Sequence, residues 1–272
     1  MRPQGDATEQ PARPDTSGVP PVERAIRVLR YIAAGQTCSN ITNAAKEIGI
    51  NRTTLIRLLH TLSEERMIER RDDGRGYALG FGLIGLAAQA ISERDLLRVA
   101  RPRLARLAAD LGLSAHLGVL DNHEVVYLIR EVPRTHLVSN VGEGSRLPAY
   151  ATTMGRMMLA HLPEDKINAL YKDRKMRVYS KATATTRAEL RRQLAADGEA
   201  GLVWSDGNFE PSIGSCACPV FDHERKVIAA INVSGGAADF TVGTPRSAEI
   251  EAGVREAAKD LSRSLGCPDI PG

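Results

Sequence analysis

The stretch from Ile41 to Arg66 leaves the chain little choice of fold. A helical pattern over Ile41 to Ile48 follows Ser39 or Asn40, either of which can accept from the free amides of a first turn, and Gly49 ends it by entering the left-handed region. Asn51 can then cap a longer helix running to about Arg66. On it Leu55, Leu58, Leu59 and Leu62 share one face and predict a buried stripe. The opposite face carries Thr53, Arg57 and His60, with Arg52 and Thr54 beside the helix start. A short helix, a glycine turn and a second helix with a polar, basic N-terminal half is the layout of a helix-turn-helix. Such a helix fits the major groove of DNA, its N-terminus favours phosphate, and Arg and Thr side chains reach base edges.

The flanks complete a small domain. Pro21 suits a first helical turn, and Val22, Ala25, Ile26, Leu29, Ile32 and Ala33 follow at helical spacing until Gly35. After the second helix, Met67 to Arg71, the turn Asp72-Asp73-Gly74 and Gly76 to Leu79 predict a β-hairpin, the wing. Its Arg70, Arg71 and Arg75 are placed to run along a DNA backbone, where contacts orient a protein without reading sequence.

A chain of 272 residues has room for more than one core. With 43% hydrophobic and 25% charged residues and a net charge of +3, it has the composition of a globular protein, not of a collagen, a disordered chain or a membrane protein. The apolar stretch Leu79 to Ile91 is shorter than the roughly 20 residues that span a bilayer. The N-terminus has Pro, Asp, Glu and Gln where a secretory signal needs a basic start and an apolar run, so a cytoplasmic protein is expected. Residues 1–20 hold four prolines, Pro3, Pro11, Pro14 and Pro20, among small polar residues and are expected to be a disordered leader.

Cys38, Cys216, Cys218 and Cys267 do not form a disulfide framework, and the pair around Ala217 lacks the second ligand pair of a zinc site. Buried free thiols are expected, with no metal and no cofactor. His60, His116, His123, His136, His161 and His223 are scattered, without a nucleophile elbow, a paired metal motif or a phosphate loop, so no enzyme is expected.

The second half reads as α+β. Leu79 to Ser92 is a connecting helix whose Leu83, Ile84, Leu86 and Ala87 suit a partner helix. Asp95 to Leu111 follows as a helix that Pro102 kinks or restarts. Ser114 to Leu120 and Glu124 to Glu131 are strands around the turn Asp121-Asn122-His123, and Lys226 to Ser234 is an alternating strand. Helices are expected over Thr152 to His161, Glu164 to Lys172, Arg187 to Gly198 and Pro245 to Leu265. Trp204 suits a core, and Arg130 and Arg134 suit exposed salt bridges.

The run from Val22 to Leu79, ending LLHTLSEERMIERRDDGRGYALG, resembles the winged helix-turn-helix of the IclR family of bacterial transcriptional regulators. LPAYATTMGRMMLA (147–160) and FEPSIGSCACPVFDHERKVIAAINVSG (209–235) resemble that family's effector-binding domain. The resemblance covers roughly residues 21–266. It implies a leader over 1–20, a DNA-binding domain over 21–80, a linker helix over 81–94 and a GAF-like effector-binding and oligomerisation domain over 95–272. It further implies a homodimer or homotetramer, a palindromic operator in double-stranded DNA and a small carboxylic-acid effector. LPAYATTMGR together with AAINVS resembles the branch that senses aromatic acids such as protocatechuate or hydroxybenzoate.

Thr152 and Thr153 open a helix whose free amides and dipole attract a carboxylate. The resemblance assigns backbone donors for the effector to Thr152, Thr153, Met154 and Gly155. Aligned on Pro219-Val220-Phe221-Asp222, it assigns the facing positions to Ser205 or Asp206, to Ser215, and to Asn232 and Ser234. Ser215 stands where many relatives have cysteine, with Cys216 one residue later, and Asn232 stands where serine is common. An Asn amide donates as well as accepts, so a polar or anionic group still fits. A ligand-sensing module that acts on a protein partner without specific DNA binding is the alternative reading. The exposed polar strip of Thr53 and Arg57 speaks against it, because interface cores favour aromatic residues and Met.

Overall fold

The computed structural model describes residues 18–92, 95–133, 141–207, 209–210 and 212–267. The leader expected over 1–20 therefore lies mostly outside the described residues, as do Arg134, His136 and the last two positions of the 81–94 linker. The chain divides into two compact units, residues 1–93 and 94–272.

In the first unit α1 (Pro20–Ala33) begins within the stretch read as leader, with prolines at its first two positions where no intrahelical N–H is lost. In α2 (Ile41–Ile48) the cap is Asn40, whose side chain accepts from the Asn43 amide at 3.1 Å, and Gly49 closes the helix at φ 74°. In α3 (Arg52–Glu64) Asn51 accepts from the Thr54 amide at 2.7 Å. Leu55, Leu59 and Leu62 are buried against Val28 and Ile32 of α1 and Ala44, Ala45 and Ile48 of α2, while Leu58 packs from the margin. Strands β1 (Ile68–Arg70) and β2 (Tyr77–Leu79) pair antiparallel, Arg70 opposite Tyr77. The hairpin is tied down where Tyr77 N–H donates to Thr37 O at 2.7 Å. Gly76, at φ 89°, makes that approach possible, since a Cβ there would lie 2.0 Å from Thr37 O. Helix α4 (Phe81–Ser92) follows, with Phe81, Ile84 and Leu86 exposed.

The second unit is built on one six-stranded antiparallel sheet. Its strands are β3 (Ser114–Asp121), β4 (Glu124–Glu131), β5 (Arg146–Pro148), β6 (Val203–Ser205), β7 (Ile213–Phe221) and β8 (Val227–Gly236), in the order β5-β4-β3-β8-β7-β6. Side chains alternate between its two faces. Cys216, Cys218, Val220, Ile231, Val233 and Leu117 pack with α5 (Asp95–Leu111) and α9 (Pro245–Ser264). Ala217, Ala230, Val125 and Tyr127 face a second core formed by a single 3-10 turn (Ala149–Ala151), α6 (Thr153–Ala160), α7 (Glu164–Tyr171) and α8 (Arg187–Ala200). The helix α5 continues through Pro102, which lies inside it.

Strands β5, β6 and β7 were not apparent from sequence. The first two are three residues each, below the length at which alternation can be read. The third contains Pro219, which usually argues against a central strand. Here β7 outruns its neighbour β6, which pairs only with Ser215 through Ala217, so Pro219 lies in a stretch with β8 on one side alone. Among the described residues no helix is long and apolar enough to cross a membrane.

Candidate functional site

Two surfaces carry the residues singled out from sequence. The first is the outer face of α3. Its stripe of leucines is committed to the core, so helical periodicity turns Arg52, Thr53, Arg57 and His60 outwards, and all four are exposed. Ile56 joins them at 44% exposure. It lies outside the buried leucine stripe and offers an apolar contact of the kind that reads a thymine methyl. Asn51 is spent as the helix cap, and Thr54 is half-buried with its amide given to that cap, so both shape the helix start. On the wing, Arg70 stacks over the Tyr77 ring at 4.9 Å, and Arg71 lies 3.6 Å from Asp73 as an exposed ion pair. Arg75 is exposed, with its backbone N–H donating to Asp73 Oδ1 at 2.9 Å.

The second surface is a cavity of about 50 Å³ between the sheet and the start of α6. That is several times the roughly 10–15 Å³ a single water needs. It is lined by His116 and Tyr127 from β3 and β4, Ser205, Ser215, Asn232 and Ser234 from β6 to β8, and Thr152 and Thr153 from the helix start. Val141, Leu147, Phe209 and Ile213 give it apolar walls, and Glu210 adds a carboxylate at an exposed position.

Sheet register explains why these polar residues meet. Ser205 pairs with Ser215, Ser215 with Ser234, and Ser234 with Ser114, which sets a row of four serines across the sheet. Two residues along, Asn232 lies between Ala217 and His116. Thr153 Oγ1 and Ser215 Oγ are 3.0 Å apart and close one end of the cavity. Thr152 caps α6 by accepting from the Gly155 amide at 3.3 Å, so the first-turn amides of Thr153 and Met154 have no intrahelical partner.

Of the ten candidate effector residues, Thr152, Thr153, Ser205, Ser215, Asn232 and Ser234 line this cavity. Cys216 does not. One step along β7 from Ser215 turns a side chain to the opposite face, and Cys216 is fully buried against the α5 and α9 side, where burial pushes its thiol up. Asp206 is exposed and outside the lining; Glu210 supplies the acid instead. The Met154 side chain is buried in the core beneath α6. Gly155 is a contact residue of the fold, since a Cβ there would lie 2.2 Å from Ala149 O. Trp204 stands outside the cavity, half-buried beside Phe240, with its indole N–H donating to Phe240 O at 2.6 Å.

His116 and Tyr127 are the main residues that sequence reasoning missed. The His116 ring is 1% exposed, makes an edge contact with Tyr127 and faces Asn232 Oδ1 through Nδ1 at 3.0 Å. Burial pushes His116 down to about 4, with the neighbouring Arg130 charge acting the same way and the Asn232 bond opposing both. The ring is therefore neutral near pH 7. Among the described residues no Lys or Arg lines the cavity, so an anion there is met by hydroxyls, amides and the α6 N-terminus.

The family described as "Bacterial transcriptional regulator IclR C-terminal" matches residues 88–263, and the one described as "IclR helix-turn-helix domain" matches residues 21–72. The HTH-type transcriptional regulator XynR of Escherichia coli is 30% identical over 91% of this chain and 97% of its own. The transcriptional repressor IclR of Escherichia coli is 27% identical over 93% of this chain and 92% of its own. The structure of an IclR homolog from Microbacterium hydrocarbonoxydans, complexed with 4-hydroxybenzoate, superimposes with a TM-score of 0.77 at 26% identity, covering 90% of this chain and 98% of that one.

Proposed function

Because the chain belongs to the IclR family of DNA-binding transcriptional regulators with a C-terminal effector-binding domain, we propose that α3 reads its operator and that the cavity at the start of α6 receives the effector. The observation that carries the reading is the pairing of surfaces: a basic, exposed α3 face in one unit and, in the other, a cavity lined by hydroxyls and an amide at the start of a helix. Arg52, Thr53, Ile56 and Arg57 enter the major groove, while Arg70, Arg71 and Arg75 of the wing take phosphates. The exposed Phe81, Ile84 and Leu86 of α4 pack against a second copy of the chain, giving a homodimer or a dimer of dimers. A symmetric dimer reads a palindromic operator with half-sites one helical turn, about 34–36 Å, or a multiple of it apart.

The effector is a small carboxylic acid, as the 4-hydroxybenzoate bound to the Microbacterium relative suggests. Its carboxylate sits at the α6 start, taking hydrogen bonds from Thr153, Ser215 and the first-turn amides. It acts by binding one arrangement of the protein better than another, because equal affinity for both would switch nothing. The relatives it matches are transcriptional regulators.

Gel-shift titration on the DNA upstream of its own gene tests both halves. Retention should survive random competitor DNA and fall steeply with salt. Footprinting should reveal two inverted half-sites. Ser215→Ala and Asn232→Ala should leave operator binding intact and weaken the response to an active acid by about 1 kcal/mol each, roughly fivefold. Unchanged effector response in both variants would place the ligand elsewhere. Binding no better than to random DNA would favour a sensor that acts on a protein partner.

A further inference from the structure

We propose that the cavity selects an acid that also carries a hydroxyl group, and that Nε2 of His116 accepts the hydrogen bond from that hydroxyl. This rests on the cavity reading above and adds to it the second functional group of the ligand.

The argument begins with an unpaired atom. His116 lines the cavity at 1% exposure, and its Nε2 is buried with no hydrogen-bond partner among the described residues. A buried polar atom left unsatisfied is costly, and native interiors rarely tolerate one. The other ring nitrogen decides what Nε2 needs. With the Asn232 amide turned so that Oδ1 faces the ring, Nδ1–H donates to it at 3.0 Å. In a neutral imidazole the second nitrogen is then a bare acceptor.

The surroundings hold the ring in that form. Arg130 is its neighbour across the β3–β4 ladder, Asn232 its neighbour across the β3–β8 ladder, and Tyr127 meets it edge-on, so no carboxylate is paired with it to favour a second proton. Glu210 is the one acid among the described lining residues. An ionised carboxylate has no proton to give and cannot satisfy Nε2. The group that does so must be a neutral donor placed elsewhere on the same ligand, and a hydroxyl is the smallest that also tolerates the apolar walls of Val141, Leu147 and Phe209. Ser234 Oγ, 6% exposed and also without a partner among the described residues, can give its proton to the ligand.

The test uses the full-length protein and two pairs of acids that differ mainly in the donor: glycolate against acetate, and 4-hydroxybenzoate against 4-fluorobenzoate. Calorimetric titration should show the hydroxylated member of at least one pair binding about tenfold more tightly. His116→Phe should bring that ratio within about twofold. Because a buried substitution can disturb folding, the wild-type protein supplies a second readout: in nitrogen-15 spectra the Nε2 resonance of His116 should move upfield with the hydroxylated acid and stay in place with its partner. Equal binding of both members of each pair, abolished by the cavity-filling Ser215→Phe, would keep the cavity reading and overturn the hydroxyl assignment. No binding of any of the four acids, or binding unaffected by Ser215→Phe, would overturn the cavity reading and this inference with it.

Discussion

Replacing Asp197 with alanine should cost the C-terminal unit about 3–5 kcal/mol, the loss expected when one member of a buried ion pair is removed and its partner stays behind. Asp197 on α8 holds Arg156 on α6 with both carboxylate oxygens, at 2.8 Å to Nε and 2.6 Å to a terminal nitrogen. Side-chain exposures of 10% and 9% leave the guanidinium almost no water to turn to. Burial lifts the Asp197 carboxyl above its ordinary range, and the Arg156 bonds pull it only part of the way back. A folded-state value above the unfolded one means that the linked stability is fully present below the unfolded value, near pH 4, and declines as pH rises through the folded one. Near neutrality, ionising Asp197 therefore costs the fold more than it costs the unfolded chain, so the pair is no net source of stability, yet breaking it leaves a buried guanidinium without its counter-charge. The double variant Arg156→Met, Asp197→Leu should therefore recover most of the loss. Trp204 makes the measurement clean: it is the only tryptophan, it lies in the second unit beside Phe240, and its fluorescence in urea reports that unit without the DNA-binding one. A single variant within 1 kcal/mol of wild type would show that water reaches the guanidinium. The pair matters for function because Arg156 sits three residues after Thr153, on the helix that forms one wall of the cavity.

The helix-turn-helix was legible in the sequence because its information is local. The leucine spacing of α3, the positive φ demanded of Gly49 and the Asn51 cap all lie within a few residues of what they determine. The start of α6 was legible for the same reason. Of the rest of the cavity, Ser205, Ser215, Asn232 and Ser234 were reached only through the family resemblance, and His116 and Tyr127 not at all, since the cavity is assembled from residues far apart along the chain: His116 meets Asn232 through strand register, and nothing within either segment sets that register. Cys216 shows how fine the distinction is, because a shift of one residue from Ser215 moves a side chain from the cavity to the opposite core. Pro219 masks β7 in the sequence, and Ile56 is an apolar residue on a polar face whose exposure only the folded helix reveals.

Two arginines on the DNA-binding unit should separate base reading from anchoring. Arg57→Ala should reduce the preference for operator over random DNA by about 1–3 kcal/mol, the discrimination carried by one good bidentate contact to a guanine edge. Arg57 is placed for this by its neighbours: Leu55 and Leu59 fix the helix from below, which aims the side chain at position 57 outwards among Arg52, Thr53 and Ile56. Arg71→Ala should instead weaken operator and random DNA alike and lower the salt slope by about one, because it lies on a solvent-exposed turn flank. Its existing pair with Asp73, 3.6 Å apart and exposed on both sides, is worth at most about 1 kcal/mol and gives way to a phosphate without serious cost. Fluorescence anisotropy on an operator fragment and a scrambled one, each at two salt concentrations, measures preference and slope for both variants together. If Arg57→Ala lost affinity equally for the two fragments, the side chain would be a phosphate contact, and base reading would fall to Arg52, Thr53 and Ile56.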